Sequence, residues 1–162
     1  MTDRGVPRPI PWINKLNLYT HLTDTVELSA LKDIVDAFPA LITLYQTTTT
    51  KTLLAPVNSA ILAIPNFATL LSTADPWLET FARYILLSPR VNYLDFINDT
   101  NYSTSNGSII TANVNDTGDC YDVGFQDVLD NQASVISRGY ITNLNDCNMM
   151  VISALLIPSN PP

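Results

Sequence analysis

The sequence predicts an α+β domain in which helices come first and a mostly antiparallel sheet follows. Apolar residues recur at helical spacing early in the chain, from Leu28 to Phe38 and again from Trp77 to Ile85. From Ser88 onward the segments are short, rich in β-branched residues and separated by Gly, Asn and Asp. Because the two patterns do not alternate, βαβ units are disfavoured.

With 162 residues, 46% of them hydrophobic, the chain can bury one sizeable core. A single domain is expected over 17–158, after an extended Pro-rich arm at 1–16 and before a tail at 159–162. Pro7, Pro9 and Pro11 block helix in that arm. Charged residues make up only 14%, against about a quarter in an average soluble protein. The formal charge of −7 argues against a nucleic-acid partner, which needs clustered Lys and Arg. No run approaches the ~18 apolar residues of a transmembrane segment.

Leu28, Leu31, Ile34, Val35 and Phe38 place a helix over about 27–38, closed by Pro39. A second helical piece covers Ala40 to Tyr45, and the threonines 47–50 form a loop leading into a buried strand at Lys51–Ala55. Asn58 is expected to cap a short helix from Ser59 to Ile64. Asp75-Pro76 starts another over 76–86, with Trp77, Leu78, Phe81 and Ile85 on one face. Strands are expected at Ile109–Val114, Cys120–Asp127, Ala133–Ser137, Tyr140–Leu144 and Met149–Ile157.

Cys120 and Cys147 are the only cysteines. A disulfide between them is expected, worth roughly 3 kcal/mol, with two buried thiols as the alternative. Asn98, Asn101, Asn106 and Asn115 each head an Asn-X-Ser/Thr glycosylation sequon. Together with the cysteine pair they point to an extracellular or cell-wall destination. Since Met1-Thr-Asp-Arg lacks the pattern of a secretory leader, that expectation supposes a signal peptide already removed.

Thr52-Leu-Leu-Ala-Pro-Val-Asn-Ser-Ala-Ile61 resembles the first homology box of fasciclin domains, a strand running through Pro into a helix. Met149-Met-Val-Ile-Ser-Ala-Leu-Leu-Ile-Pro158 is similar to the strand that closes those domains, and Tyr84-Ile-Leu-Leu-Ser-Pro-Arg-Val91 to the segment between the boxes. The resemblance implies a fasciclin-type β-sandwich flanked by N-terminal helices, in which segments 52–61 and 149–158 are neighbours. It also implies an adhesion-type role, of the kind found among divergent, secreted fungal members. Ile85 stands where the family's central Tyr-His pair has His, while Met150 and Ser153 occupy the usual His and Asp positions of the last box.

No catalytic set emerges from the residues. Nucleophilic hydrolysis needs a base beside Ser or Cys, and the one histidine, His21, sits ahead of the first expected helix, where a structural role is expected. The carboxylates give no spacing that singles out an acid–base pair. Asp116, Asp119 and Asp122 lack calcium-loop spacing, and no zinc set or glycine-rich phosphate cradle is present. Neither a metal nor a cofactor is expected. The partner expected is an extracellular protein or glycan. The alternative is an aromatic small molecule held by Tyr84, Arg90, Tyr93 and Phe96 where the chain crosses between 88 and 108, for a pigment-type oxidation or cyclisation.

Overall fold

Thr52–Pro56 (β1) and Asn148–Ile152 (β7) are buried along their whole length and run side by side as a parallel pair, Thr52 against Asn148 through Pro56 against Ile152. The two homology boxes are therefore adjacent, and their near-continuous apolar character follows from burial on both faces. The computed structural model describes residues 17–137 and 146–162. The expected arm at 1–16 and strand at 140–144 lie outside those residues.

Among the described residues six helices precede or interleave with the first strands: α1 (Leu18–Asp24), α2 (Ser29–Asp36), α3 (Pro39–Thr47), α4 (Asn58–Leu62), α5 (Phe67–Ser72) and α6 (Pro76–Tyr84). The expected helix at 27–38 is a 3-10 turn, Val26–Leu28, followed by α2. Asp75 caps α6 as expected, accepting the Trp77 amide at 2.9 Å, with Pro76 at the first helical position. Sequence reading missed α1, whose cap is Asn17, and it misplaced His21, which is fully buried inside that helix. The role expected of Asn58 is also corrected. It lies within α4 and its side chain crosses to α2, where Oδ1 accepts the Ala30 amide at 2.8 Å while Nδ2 donates to the Val26 carbonyl and Ser29 Oγ. One amide thus satisfies a neighbouring helix start rather than its own.

The remaining strands are β2 (Leu86–Leu87), β3 (Thr100–Ser103), β4 (Ile109–Asp116), β5 (Tyr121–Gln126) and β6 (Gln132–Ser137), in the sheet order β2-β1-β7-β6-β5-β4-β3. Apart from β1–β7, each described strand pairing is antiparallel. The sandwich expectation is corrected, because the two ends of this one sheet approach each other. Ser88 N–H donates to the Ser103 carbonyl and Ser105 N–H to the Leu86 carbonyl, each at 2.8 Å, flanking a Leu87–Thr104 bridge. The sheet is nearly a barrel, which removes most of the edge a sandwich would leave open.

Alternation along β1 and β7 divides the core in two. Leu53, Ala55, Met149 and Val151 face the helices, while Leu54, Met150 and Ile152 face the barrel interior with Phe125 and Ile110. Cys147 belongs to the helical side, its thiol reaching the Thr48 carbonyl at 3.5 Å, whereas Cys120 lies at the start of β5 beside Asp122. The two are not bridged, which corrects the expected disulfide. β6 separates their strands, so at ~4.8 Å per strand the Cα atoms stand about 10 Å apart or more, beyond disulfide reach.

Candidate functional site

The chain leaving β2 crosses the end of the barrel, and two polar side chains from the central strands hold it there. Thr52 and Asn148 are 0% and 4% exposed. Thr52 Oγ1 donates to the Pro89 carbonyl at 3.0 Å and accepts the Val91 amide at 2.8 Å. Asn148 Nδ2 donates to the Val91 carbonyl at 2.8 Å and to Asn92 Oδ1 at 3.1 Å. Buried polar groups at such positions are tolerated because each bond is made.

Beyond Asn92 the chain alternates between anchors and exposed residues. Tyr93 and Phe96 point into the barrel, while Leu94 and Ile97 are 53% and 64% exposed. Tyr93 Oη donates to the Tyr121 carbonyl at 3.2 Å and accepts the Val123 amide at 3.3 Å, and the Tyr121 hydroxyl in turn reaches the Phe96 carbonyl at 3.4 Å. Phe96 packs edge-on against Phe125 and Tyr102, with centroids 5.1 and 5.2 Å away. Two large apolar side chains are thereby presented to solvent on a fixed base.

Of the four expected ligand residues, the three aromatic ones share one cluster, and Arg90 is half-buried in the segment between Tyr84 and Tyr93. Tyr84, Tyr93 and Phe96 share the barrel-interior cluster. Tyr84 is fully buried, and its hydroxyl donates to the Ile109 carbonyl at 2.8 Å. Burial pushes the phenols of Tyr84 and Tyr93 up to about 12 each, so both stay protonated as donors. Arg90 Nε stands 3.3 Å from Asp146 Oδ1. Ile85 is buried against the helices, Met150 faces the barrel interior, and Ser153 is exposed, its Oγ accepting the Ser134 amide. Among the described residues no three His, Cys, Asp or Glu side chains converge as a metal-holding group, and no helix is long and apolar enough to cross a membrane.

The Fasciclin domain family model matches residues 21–158. The chain belongs to the fasciclin domain family. Among solved structures, this fasciclin domain is similar to a FAS1 domain pair from the insect cell adhesion molecule fasciclin I, at 18% identity and a TM-score of 0.60. The match covers 79% of this chain and 44% of that one, so the chain spans less than half the length of the solved pair. At that identity the likeness establishes the fold. No curated protein matches.

Thr52 and Asn148 were missed from sequence as positioning residues, and so was the exposure of Leu94 and Ile97. A signal for the first two was present, since each is the polar first residue of an otherwise apolar strand. For Leu94 and Ile97 it was the spacing of Tyr93 and Phe96, which places the residue after each anchor outward. The sequons divide between strand and turn: Asn101 is on β3, Asn115 on β4, Asn98 just ahead of β3, and Asn106 in the turn between β3 and β4.

Proposed function

We propose that this fasciclin domain is a non-catalytic, adhesion-type module that acts outside the cell by binding a protein or glycan. The observation that carries this is the exposure of Leu94 and Ile97 on a segment clamped from below. Exposed apolar side chains on a rigid base are the usual material of interface anchors, because little conformational entropy remains to be lost on binding. Family membership supports the same class of role. The alternative of a bound aromatic small molecule has less support, since Tyr84, Tyr93 and Phe96 are packed in the barrel interior and the hydroxyls of the two tyrosines are engaged by backbone groups.

The test is binding of the purified chain to immobilised matrix proteins and to wall and matrix polysaccharides, comparing wild type with Leu94→Asp and Ile97→Asp. Binding that weakens by about tenfold or more in each variant, with the thermal midpoint retained, is expected. Turnover of a small molecule that one point substitution abolishes would overturn the proposal, as would binding indifferent to both changes.

A further inference from the structure

The outer surface of β3, β4 and β5 is unlike the rest of the sheet. The helical core draws its strand residues from β1, β2 and β7, and none from β3 to β6. Outward positions on the uncovered side include Asn101, Ser103, Thr111, Asn113, Asn115 and Gln126. All are uncharged. An open face of amides and hydroxyls with few charges is a poor guard against pairing with other chains, because Asn and Gln ladders stack readily.

Two of the four sequons open on that face. Asn101 pairs with Thr111, and Asn115 lies four residues further along β4, hence on the same side and about 13 Å away. In both sequons the asparagine and its hydroxyl residue, Ser103 or Thr117, are exposed. Thr111 Oγ1 donates to Asn101 Oδ1 at 2.7 Å, which turns Asn101 Nδ2 away from that contact. The other two are tied into the fold. Asn98 Oδ1 accepts the Val114 amide at 2.8 Å, Asn106 Oδ1 accepts Thr104 Oγ1 and the Ser108 amide, and the hydroxyl residues Thr100 and Ser108 are half-buried.

We propose that Asn101 and Asn115 carry N-linked glycans that together sheathe the outer face of β3–β5, leaving partner contact to the rest of the surface. The inference rests on the extracellular reading above. In the modifying step, Nδ2 bonds to the anomeric carbon of a lipid-linked oligosaccharide, the bond from that carbon to the lipid diphosphate breaks, and Nδ2 gives up one proton as the diphosphate leaves. Attached sugars would add bulk and hydration where the sheet itself supplies no helix cover and, at Asp122, a single charge.

The experiment expresses the full chain behind a cleavable leader in a eukaryotic host and removes N-glycans enzymatically in heavy-oxygen water, which marks each formerly glycosylated position. Label at both Asn101 and Asn115, with or without the other two, is the expected result, and label missing from either overturns the proposal. Asn101→Gln and Asn115→Gln should each remove one glycan's mass while the deglycosylated thermal midpoint stays put. The double variant should self-associate at concentrations where wild type stays monomeric, and a double variant as soluble as wild type would overturn the sheathing role. Chain isolated from its source bare and intracellular, while the leader-directed chain carries both sugars, would count against the extracellular reading and for the acceptor assignment.

Discussion

Thr52 and Asn148 face one another across the parallel β1–β7 pair, and both reach out of the sheet to grip the chain between Pro89 and Asn92. The clamp couples the centre of the barrel to the exposed segment beyond it.

Replacing Thr52 by Val keeps the volume but removes a donor and an acceptor, stranding the Val91 amide and the Pro89 carbonyl. A loss of about 2 kcal/mol is expected from urea unfolding. Because both side chains restrain one stretch of backbone, Thr52→Val combined with Asn148→Leu should cost less than the two changes summed. Strict additivity would show that the clamp does not act as a unit.

Asn58→Ala should lower stability by about 1 kcal/mol, as loss of a helix cap does, although Asn58 is not in the helix it caps. Hydrogen exchange reports this directly. Protection of the Ala30 amide should fall, while that of the Trp77 amide, held by Asp75, should not change.

Alkali should unfold the domain through its buried phenols. Tyr84 and Tyr93 have folded pKa values of about 12, above the ordinary 10.0, so their contribution is complete below pH 10 and is lost as pH rises towards 12. Tyr45, fully buried and raised further still, ionises with them, so phenolate absorbance should show at least three late, cooperative ionisations coincident with loss of the fold. Tyr84→Phe should begin about 1 kcal/mol less stable near neutrality, having lost its bond to the Ile109 carbonyl, and then decline less steeply over that interval.

The thiols should differ in reactivity. Cys120 is partly exposed, whereas Cys147 is buried and its thiol is pushed up chiefly by that burial. One alkylation without denaturant, at Cys120, and a second only after unfolding are expected in the intact mass. A loss of two hydrogens reversed by reductant would show a bridge and contradict the geometry.

How much of this was legible in the residues depended on how many faces each segment buries. β1 and β7 are buried on both sides, so their unbroken apolar runs marked them from sequence, and α2 and α6 bury one stripe each, so their spacing did the same. β2 has only two residues, too few to show any period. β3 alternates Thr100 and Tyr102 against the outward Asn101 and Ser103, but its sequons gave it the composition of a turn. Asn58 shows a different limit. The residue type announced a cap, and only the packing of α4 against α2 determined which helix received it. The same holds for Tyr84, Tyr93 and Phe96, where composition cannot distinguish a filled barrel from a lined pocket.

The parallel pairing of β1 with β7 also sets a schedule for biosynthesis. Thr52 emerges from the ribosome long before Asn148, and β2 with α6 can offer only provisional shelter for the apolar surface of β1 in the interval. The barrel's central seam closes across roughly three-fifths of the chain, so its completion waits on the last strand and pays a large loop-closure entropy. A nascent chain truncated before Met149 should therefore remain a client of chaperones rather than a smaller folded protein.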